Sequence, residues 1–198
     1  MLATRDDGTQ ILLNEDGTWI EVQEKISNVG DFDVRKVNWG MNFENVKKTE
    51  NLEVQDSNPE LLAYETTLSG MDMYLIYRFM NNELYNVDYM FLEEHADDGD
   101  FIFDFERLKD NLIKKYGKPS KNDRYFTDDL YEDVYEDWGM SLGRGKLSFF
   151  TTWNVKNTEI SLSLYGDNYD IKFTLSYTGE DYKDILAAED ENQLMDAL

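Results

Sequence analysis

LSFFTTWNVKNTEISLSLYGDNYDIKFTLSY, Leu147 to Tyr177, decides how this chain folds. Leu147, Phe149, Thr151 and Trp153 alternate with Ser148, Phe150 and Thr152. Ile160, Leu162 and Leu164 alternate with Ser161, Ser163 and Tyr165, and Ile171, Phe173, Leu175 and Tyr177 with Lys172, Thr174 and Ser176. A period of two sends successive side chains to opposite faces of a strand, so each run has one buried and one wet face. The links Lys156-Asn157-Thr158 and Asp167-Asn168 are too short for a crossover and predict an antiparallel meander.

Upstream of this meander the period changes. Phe101, Phe105, Leu108, Leu112 and Tyr116 recur at helical spacing. Asp97-Asp98-Gly99-Asp100 offers N-caps, Lys114-Lys115 suit the negative end of the helix dipole, and Gly117 and Pro119 stop the helix. Two further strands are expected between this helix and the meander, Arg124–Phe126 and Leu130–Trp138. The same helix-then-strands order occurs earlier. A turn at Trp39-Gly40-Met41 precedes a helix capped by Asn42 and running to about Asn51. Strands are expected at Leu61–Leu68, Met71–Met80 and Glu83–Leu92, with Gly70 and Asn81-Asn82 as turns. Leu75, Tyr77 and Phe79 alternate with Tyr74, Ile76 and Arg78.

Thr9–Leu13 and Thr18–Val22 flank Asn14-Glu15-Asp16-Gly17 and read as a β-hairpin. The expected organisation is therefore α+β: an N-terminal β-hairpin and linker over residues 1–30, then two helix-then-antiparallel-sheet modules. The first module spans residues 31–96 with three strands, and the second spans 97–180 with four or five. An acidic C-terminal helix or tail follows over 181–198.

The chain has 198 residues, 41% of them hydrophobic and 14% aromatic, enough to bury a core. Its 19 basic and 42 acidic residues give a net charge of −23. Such a surface repels nucleic-acid phosphates and anionic membranes and attracts basic partners. There is no cysteine, which removes thiol nucleophiles, disulfides and thiolate metal sites. No stretch approaches the roughly 20 apolar residues of a membrane span. Met1-Leu2-Ala3-Thr4-Arg5 lacks the apolar run of a secretory signal, so the expectation is a cytosolic protein or a mature form without its export segment.

No reaction chemistry stands out. His95, the one histidine, lies among Glu93, Glu94, Asp97 and Asp98 and reads as a surface residue. Asp97, Asp98 and Asp100, then Asp128, Asp129, Glu132 and Asp133, then Asp167 and Asp170 are acidic clusters that Ca²⁺ could use, none with EF-hand spacing. Gly143-Arg144-Gly145 lacks phosphate-loop spacing and reads as a turn. Tyr131 to Trp138 interleaves aromatics with acids and reads as an edge strand kept from aggregation by its charge; a mimic of DNA phosphates would space its acids along a strand in the same way. Trp39 and Trp153 read as packing residues. No catalytic residue, metal or cofactor is predicted.

Three stretches carry a resemblance. DGTQILLNEDGTWIEV (Asp7–Val22) resembles an N-terminal hairpin of bacterial envelope proteins. FDVRKVNWGMNFENVKKTE (Phe32–Glu50) resembles the opening of modules related to the β-lactamase inhibitory protein and the small outer-membrane assembly lipoproteins. LKDNLIKKYGKP (Leu108–Pro119) is similar to the second helix of such tandem units. The resemblance implies two helix-plus-sheet modules side by side, their sheets forming one concave face that binds other proteins and performs no chemistry. The inhibitor's disulfides and a lipid-accepting cysteine are both missing here.

The expected function is a non-catalytic protein-binding module, periplasmic, envelope-anchored or secreted, that uses the sheet face away from the helices. Tyr74, Arg78, Met90, Phe150, Tyr165 and Lys172 are its candidate contact residues, because aromatics and Arg dominate interface energies. The partner is another protein, with no direct nucleic-acid contact and no membrane span. The alternatives are an acidic cytosolic inhibitor of a nucleic-acid-binding protein, and a hydrolase. The hydrolase would need a carboxyl of raised pKa in a cleft.

Overall fold

Asn42 holds an extended backbone and its Oδ1 accepts from the Asn45 N–H at 2.9 Å, which starts helix α1, Phe43–Thr49. The structure is a computed structural model and describes residues 2–4, 10–13, 19–21, 32–92, 94–127 and 134–183. Two compact units divide it, Met1–Phe32 and Asp33–Leu198. In the first, strands β1 (Leu2–Thr4), β2 (Gln10–Leu13) and β3 (Trp19–Glu21) pair antiparallel, with Leu2 opposite Leu12 and Leu13 opposite Trp19. The turn between β2 and β3 lies outside the described residues.

The second unit is α+β. After α1 come β4 (Val54–Asn58), β5 (Leu61–Leu68), β6 (Met71–Met80) and β7 (Glu83–Phe91). Helix α2 (Asp98–Tyr116) follows, then β8 (Lys121–Phe126), α3 (Trp138–Gly143), β9 (Leu147–Val155), β10 (Thr158–Asp167) and β11 (Asp170–Gly179). All eight strands form one antiparallel sheet in the order β4-β5-β6-β7-β11-β10-β9-β8. Two helix-then-sheet modules were expected side by side, their sheets forming one face; the last strand of each run meets the other at β7–β11, so the two runs are one sheet over one hydrophobic core.

The alternation read from the sequence sets the two faces. Leu75, Tyr77 and Phe79 of β6, Val87 and Tyr89 of β7, Phe149 and Trp153 of β9, Leu162 and Leu164 of β10 and Phe173 and Leu175 of β11 are buried together. Helix α2 lays Phe101, Ile102, Phe105, Leu108 and Leu112 on them. Asp97 caps it through Oδ1 to Gly99 N–H at 2.8 Å, and Gly117 ends it at φ 83°, a left-handed conformation that glycine adopts without strain. The Trp39-Gly40-Met41 turn is pinned to β7: Gly40 N–H donates to the Leu84 carbonyl and Leu84 N–H to the Met41 carbonyl, both at 2.9 Å. Trp39 also donates its indole N–H to Thr158 Oγ1 at 2.9 Å, so a packing role agrees with its place.

Four boundaries differ from expectation. Helix α1 stops at Thr49 because Glu50 turns extended and carries its carboxylate inward to Arg35 and Tyr77. Strand β4 has a polar sequence, Val-Gln-Asp-Ser-Asn, with no alternation to reveal it; it is an exposed edge strand held by backbone pairing to β5. Strand β8 begins three residues earlier than expected. The expected strand Leu130–Trp138 does not form over Val134–Trp138. Tyr135–Asp137 is a 3-10 turn that runs into α3, and 128–133 lie outside the described residues. The alternation there misled because Trp138 packs as a helical residue, with Phe126 at 5.8 Å, Phe149 at 6.3 Å and the Arg124 guanidinium 4.2 Å from its ring. Gly139 lets α3 come close to α2, since a Cβ there would lie 2.6 Å from Gly99 N.

A polar cluster sits at the edge of the core, where α1 ends at Glu50. Arg35 Nε lies 2.6 Å from Glu50 Oε1 and its second nitrogen 3.1 Å from Oε2, a bidentate pair, and the Tyr77 hydroxyl donates to Oε1 at 2.6 Å. Arg35 also reaches the Tyr89 hydroxyl at 3.4 Å. The buried Tyr64 hydroxyl has no hydrogen-bond partner among the described residues, and its ring lies edge-on to Tyr77 at 6.2 Å.

Candidate functional site

Because α1, α2 and α3 share one side of the sheet, the register places a continuous row of side chains on the other. Directly opposite residues point to the same face, so one row reads Asp123, Phe150, Ser163, Thr174, Met90, Tyr74, Glu65 from β8 to β5. A second reads Tyr125, Ser148, Tyr165, Lys172. A third reads Leu61, Arg78, Asn86, Thr178, Glu159. All six candidate contact residues therefore lie on the helix-free face.

The structure gathers them unevenly. Tyr74 and Met90 are paired neighbours, and so are Tyr165 and Lys172. Phe150 is diagonal to Tyr165, within reach of an aromatic ring. Four strand steps at ~4.8 Å separate Phe150 from Tyr74, roughly 19 Å. Arg78 stands apart from both groups and is engaged: its Nε donates to Asp88 Oδ2 at 2.8 Å. Ser176 donates to the other Asp88 oxygen at 2.7 Å, and Asn86 donates to Ser176 Oγ at 2.8 Å and to Thr178 Oγ1 at 3.2 Å. The Asn86 carbonyl oxygen is buried and has no partner among the described residues. Lys172 is held by Asp170 at 2.9 Å, a hydrogen bond that raises its pKa.

Sequence reasoning missed Tyr125. It is diagonal to Phe150 on the other side, so Tyr125, Phe150 and Tyr165 make one aromatic group, 53%, 37% and 48% exposed. The Tyr125 hydroxyl donates to Asp123 at 2.8 Å. The missed signal was the register of β8 on β9: Tyr125 sits opposite Ser148, a wet-face position.

His95 differs from its expected surface setting. Its Nε2 lies 2.9 Å from Asp104 Oδ2, and its ring stands edge-on to Phe101 with centroids 4.6 Å apart. Asp104 is buried and also takes Arg107 at 2.7 Å. With Glu94, Asp98, Asp170 and Lys172, His95 lines a pocket of about 420 Å³ where β7 and β11 part. Burial, with the charge of Asp97, pushes the Asp98 carboxyl above its usual range. A second, open pocket of about 530 Å³ lies between α2, β8 and Trp138.

Among the described residues no group of three or more His, Asp or Glu side chains is placed to hold a metal ion, and no helix is long and apolar enough to cross a membrane. The cluster Asp128–Asp133 and the tail 184–198 lie outside the described residues. Gly143-Arg144-Gly145 closes α3, with Gly145 at φ 69°. No protein-family model, curated protein or solved structure matches the chain.

Proposed function

We propose that this chain is a non-catalytic protein-binding module that presents the helix-free face of its eight-stranded sheet to a partner, in the bacterial envelope or outside the cell. One observation carries the reading. The main core cluster lies to one side of the sheet; the other side covers Ala63 and Ile76 near β5–β6 and displays Tyr125, Phe150 and Tyr165 in one exposed group. Aromatic side chains bring large contact area at low entropic cost, and exposed groups of them mark interaction surfaces. Around them stand Ser148, Ser163, Thr174, Lys172 and the carboxylate of Asp123, a polar surround on a chain whose net charge of −23 suits a basic partner.

The strand order favours a tandem origin of the kind the inhibitory-protein modules have. Reading outward from the β7–β11 seam, each run gives last, third, second and first strand, with a helix before each run. An axis through the seam would exchange the two runs. The competing readings gain less. A DNA mimic needs its carboxylates spaced along a strand, and Tyr135–Asp137 is helical instead. A carboxylate hydrolase asks for a raised carboxyl in a cleft, which Asp98 supplies. Its neighbours do not complete the pair, since Asp170 is tied to Lys172 and Glu94 is exposed.

The test is a paired capture. Parent and Phe150→Ala/Tyr165→Ala proteins, immobilised at equal density, are exposed to a bacterial envelope extract and the retained proteins quantified. A true partner is retained by the parent and about 10- to 100-fold less by the double variant, as loss of two anchors implies. The melting temperature should stay nearly unchanged. Equal retention by both proteins, or a melting temperature that collapses together with capture, overturns this face as the site.

A further inference from the structure

The two outer strands of the sheet differ in how they meet solvent. β4, at one end, is bulged between Val54 and Asp56, a device that turns an edge away from new partners. β8, at the other end, pairs with β9 in unbroken register from Lys121 to Phe126, and no strand lies on its outer side among the described residues. Thr127 N–H donates to the Lys146 carbonyl at 3.0 Å and continues that register. Backbone groups alternate sides along a strand, so Lys121, Asp123 and Tyr125 turn theirs to β9. Asn122, Arg124 and Phe126 turn their N–H and C=O groups outward, where an added strand would meet them.

A pocket of about 530 Å³ runs along this edge. Asn122 and Arg124 line it from the helix side of β8, Asp123 and Tyr125 from the helix-free side. Side chains from both faces of a strand border one space only where that space lies past the rim of the sheet. α2 walls it with Glu106 and Lys109, and α3 with Trp138. Alternate side chains of an added strand would enter beneath α2, and the others would lie beside Tyr125. The charges on the helix side leave one cation over. Lys109 is held by Glu106 at 2.6 Å. The Arg124 guanidinium lies 4.2 Å from the centre of the Trp138 ring and 5.5 Å from that of Phe126, and it meets no carboxylate among the described residues. A guanidinium held on aromatic rings keeps its donor edge oriented, which suits a carboxylate.

We propose that β8 takes up an extended peptide segment of a partner as a ninth, antiparallel strand, with an acidic side chain of that segment on Arg124. The residues flanking that acid face Tyr125 and Asp123, where an aromatic and a basic residue fit. This adds an edge to the face proposed above, and either can fail alone.

The probe is the peptide acetyl-Thr-Val-Tyr-Glu-Lys-Val-Thr-amide, whose Glu falls opposite Arg124, its Tyr opposite Tyr125 and its Lys opposite Asp123. Amide hydrogen exchange of the isotope-labelled full chain, followed by NMR at about 0.15 M salt to screen long-range attraction, reads the edge directly. Exchange at Asn122 and Arg124 should slow at least about tenfold at saturation, while Asp123 and Tyr125, already bonded to β9, change little. A dissociation constant of about 0.1–1 mM is expected for so short a segment. Methylating the backbone nitrogens of Glu and both Val, which face β8, should weaken binding at least about tenfold, and methylating those of Tyr and Lys, which face away, should not. Gln in place of Glu in the probe, and Arg124→Gln in the protein, should each weaken it about three- to tenfold. No slowing at Asn122 and Arg124 up to about 3 mM probe, equal binding of the two methylated probes, or equal binding of the Glu and Gln probes overturns the proposal. Should Arg124→Gln disturb the packing of Trp138, the Gln probe still decides.

Discussion

Trp153→Ala is expected to lower the free energy of unfolding by about 3–5 kcal/mol, the usual loss for truncating a large aromatic in a packed core. The indole is 1% exposed, the largest of the fully buried side chains. Its N–H donates to the Gly117 carbonyl at 2.9 Å, so the same side chain ties β9 to the end of α2. Truncation leaves a cavity and a carbonyl without its donor. Trp153→Phe keeps most of the apolar area and should lose only about 1–2 kcal/mol, chiefly that hydrogen bond. Phe150 lies three residues away on the same strand and faces the other side, so Phe150→Ala should lose less than about 1 kcal/mol. Urea unfolding reads all three as midpoint shifts at constant slope. A loss for Phe150→Ala equal to that for Trp153→Ala would show that both faces of β9 are packed, and the open-face reading would fall with it.

The strands were legible where burial is one-sided. Period-two alternation at Leu147–Tyr177 and Met71–Met80 gave both the strands and their faces, because inward residues meet the core and most outward ones meet water, the covered Ile76 and Thr152 excepted. Helix α2 was legible from three agreeing signals: its apolar spacing, Asp97 before it and Gly117 after it. What stayed hidden is non-local. Strand β4 owes its existence to hydrogen bonds with β5 and carries no pattern of its own. The Val134–Trp138 stretch alternates like a strand, yet Trp138 is drawn into a cage of Phe126, Phe149 and Arg124 that only the folded chain assembles. The same holds for the candidate sites. Face assignment put Tyr74, Phe150 and Tyr165 on the wet side. Grouping Tyr125 with Phe150 needed the β8–β9 register, and so did the pocket along the β8 edge, which also takes its lining from α2 and Trp138.

Replacing either partner of the half-buried Arg35–Glu50 pair should cost about 1–3 kcal/mol at neutral pH, and both losses should shrink on acidification, over different pH ranges. Burial raises the pKa of Glu50, but hydrogen bonds from Arg35 and Tyr77 together outweigh it and leave the carboxyl below its ordinary value. A carboxyl lowered on folding contributes stability that is complete above its unfolded pKa of about 4.3 and is lost as pH falls through the folded value. In Arg35→Met the two favourable contacts from the guanidinium are gone and burial prevails, so the folded pKa should rise above the unfolded one. The variant is then helped by protonation, and its penalty against the parent should shrink between pH 7 and pH 4. Glu50→Gln removes the titrating group but keeps a hydrogen-bond acceptor for Tyr77. Its penalty should also shrink, but only below about pH 4.3, where the parent itself begins to lose the carboxylate. Differences against the parent are the right measure because 42 acidic residues titrate in every version of the chain. Denaturant unfolding of the three proteins at half-unit pH steps would separate these courses. Parallel curves for parent and Arg35→Met would mean that Glu50 is not held ionised by Arg35. The early end of α1 at Thr49, which brings Glu50 inward, would then need another cause.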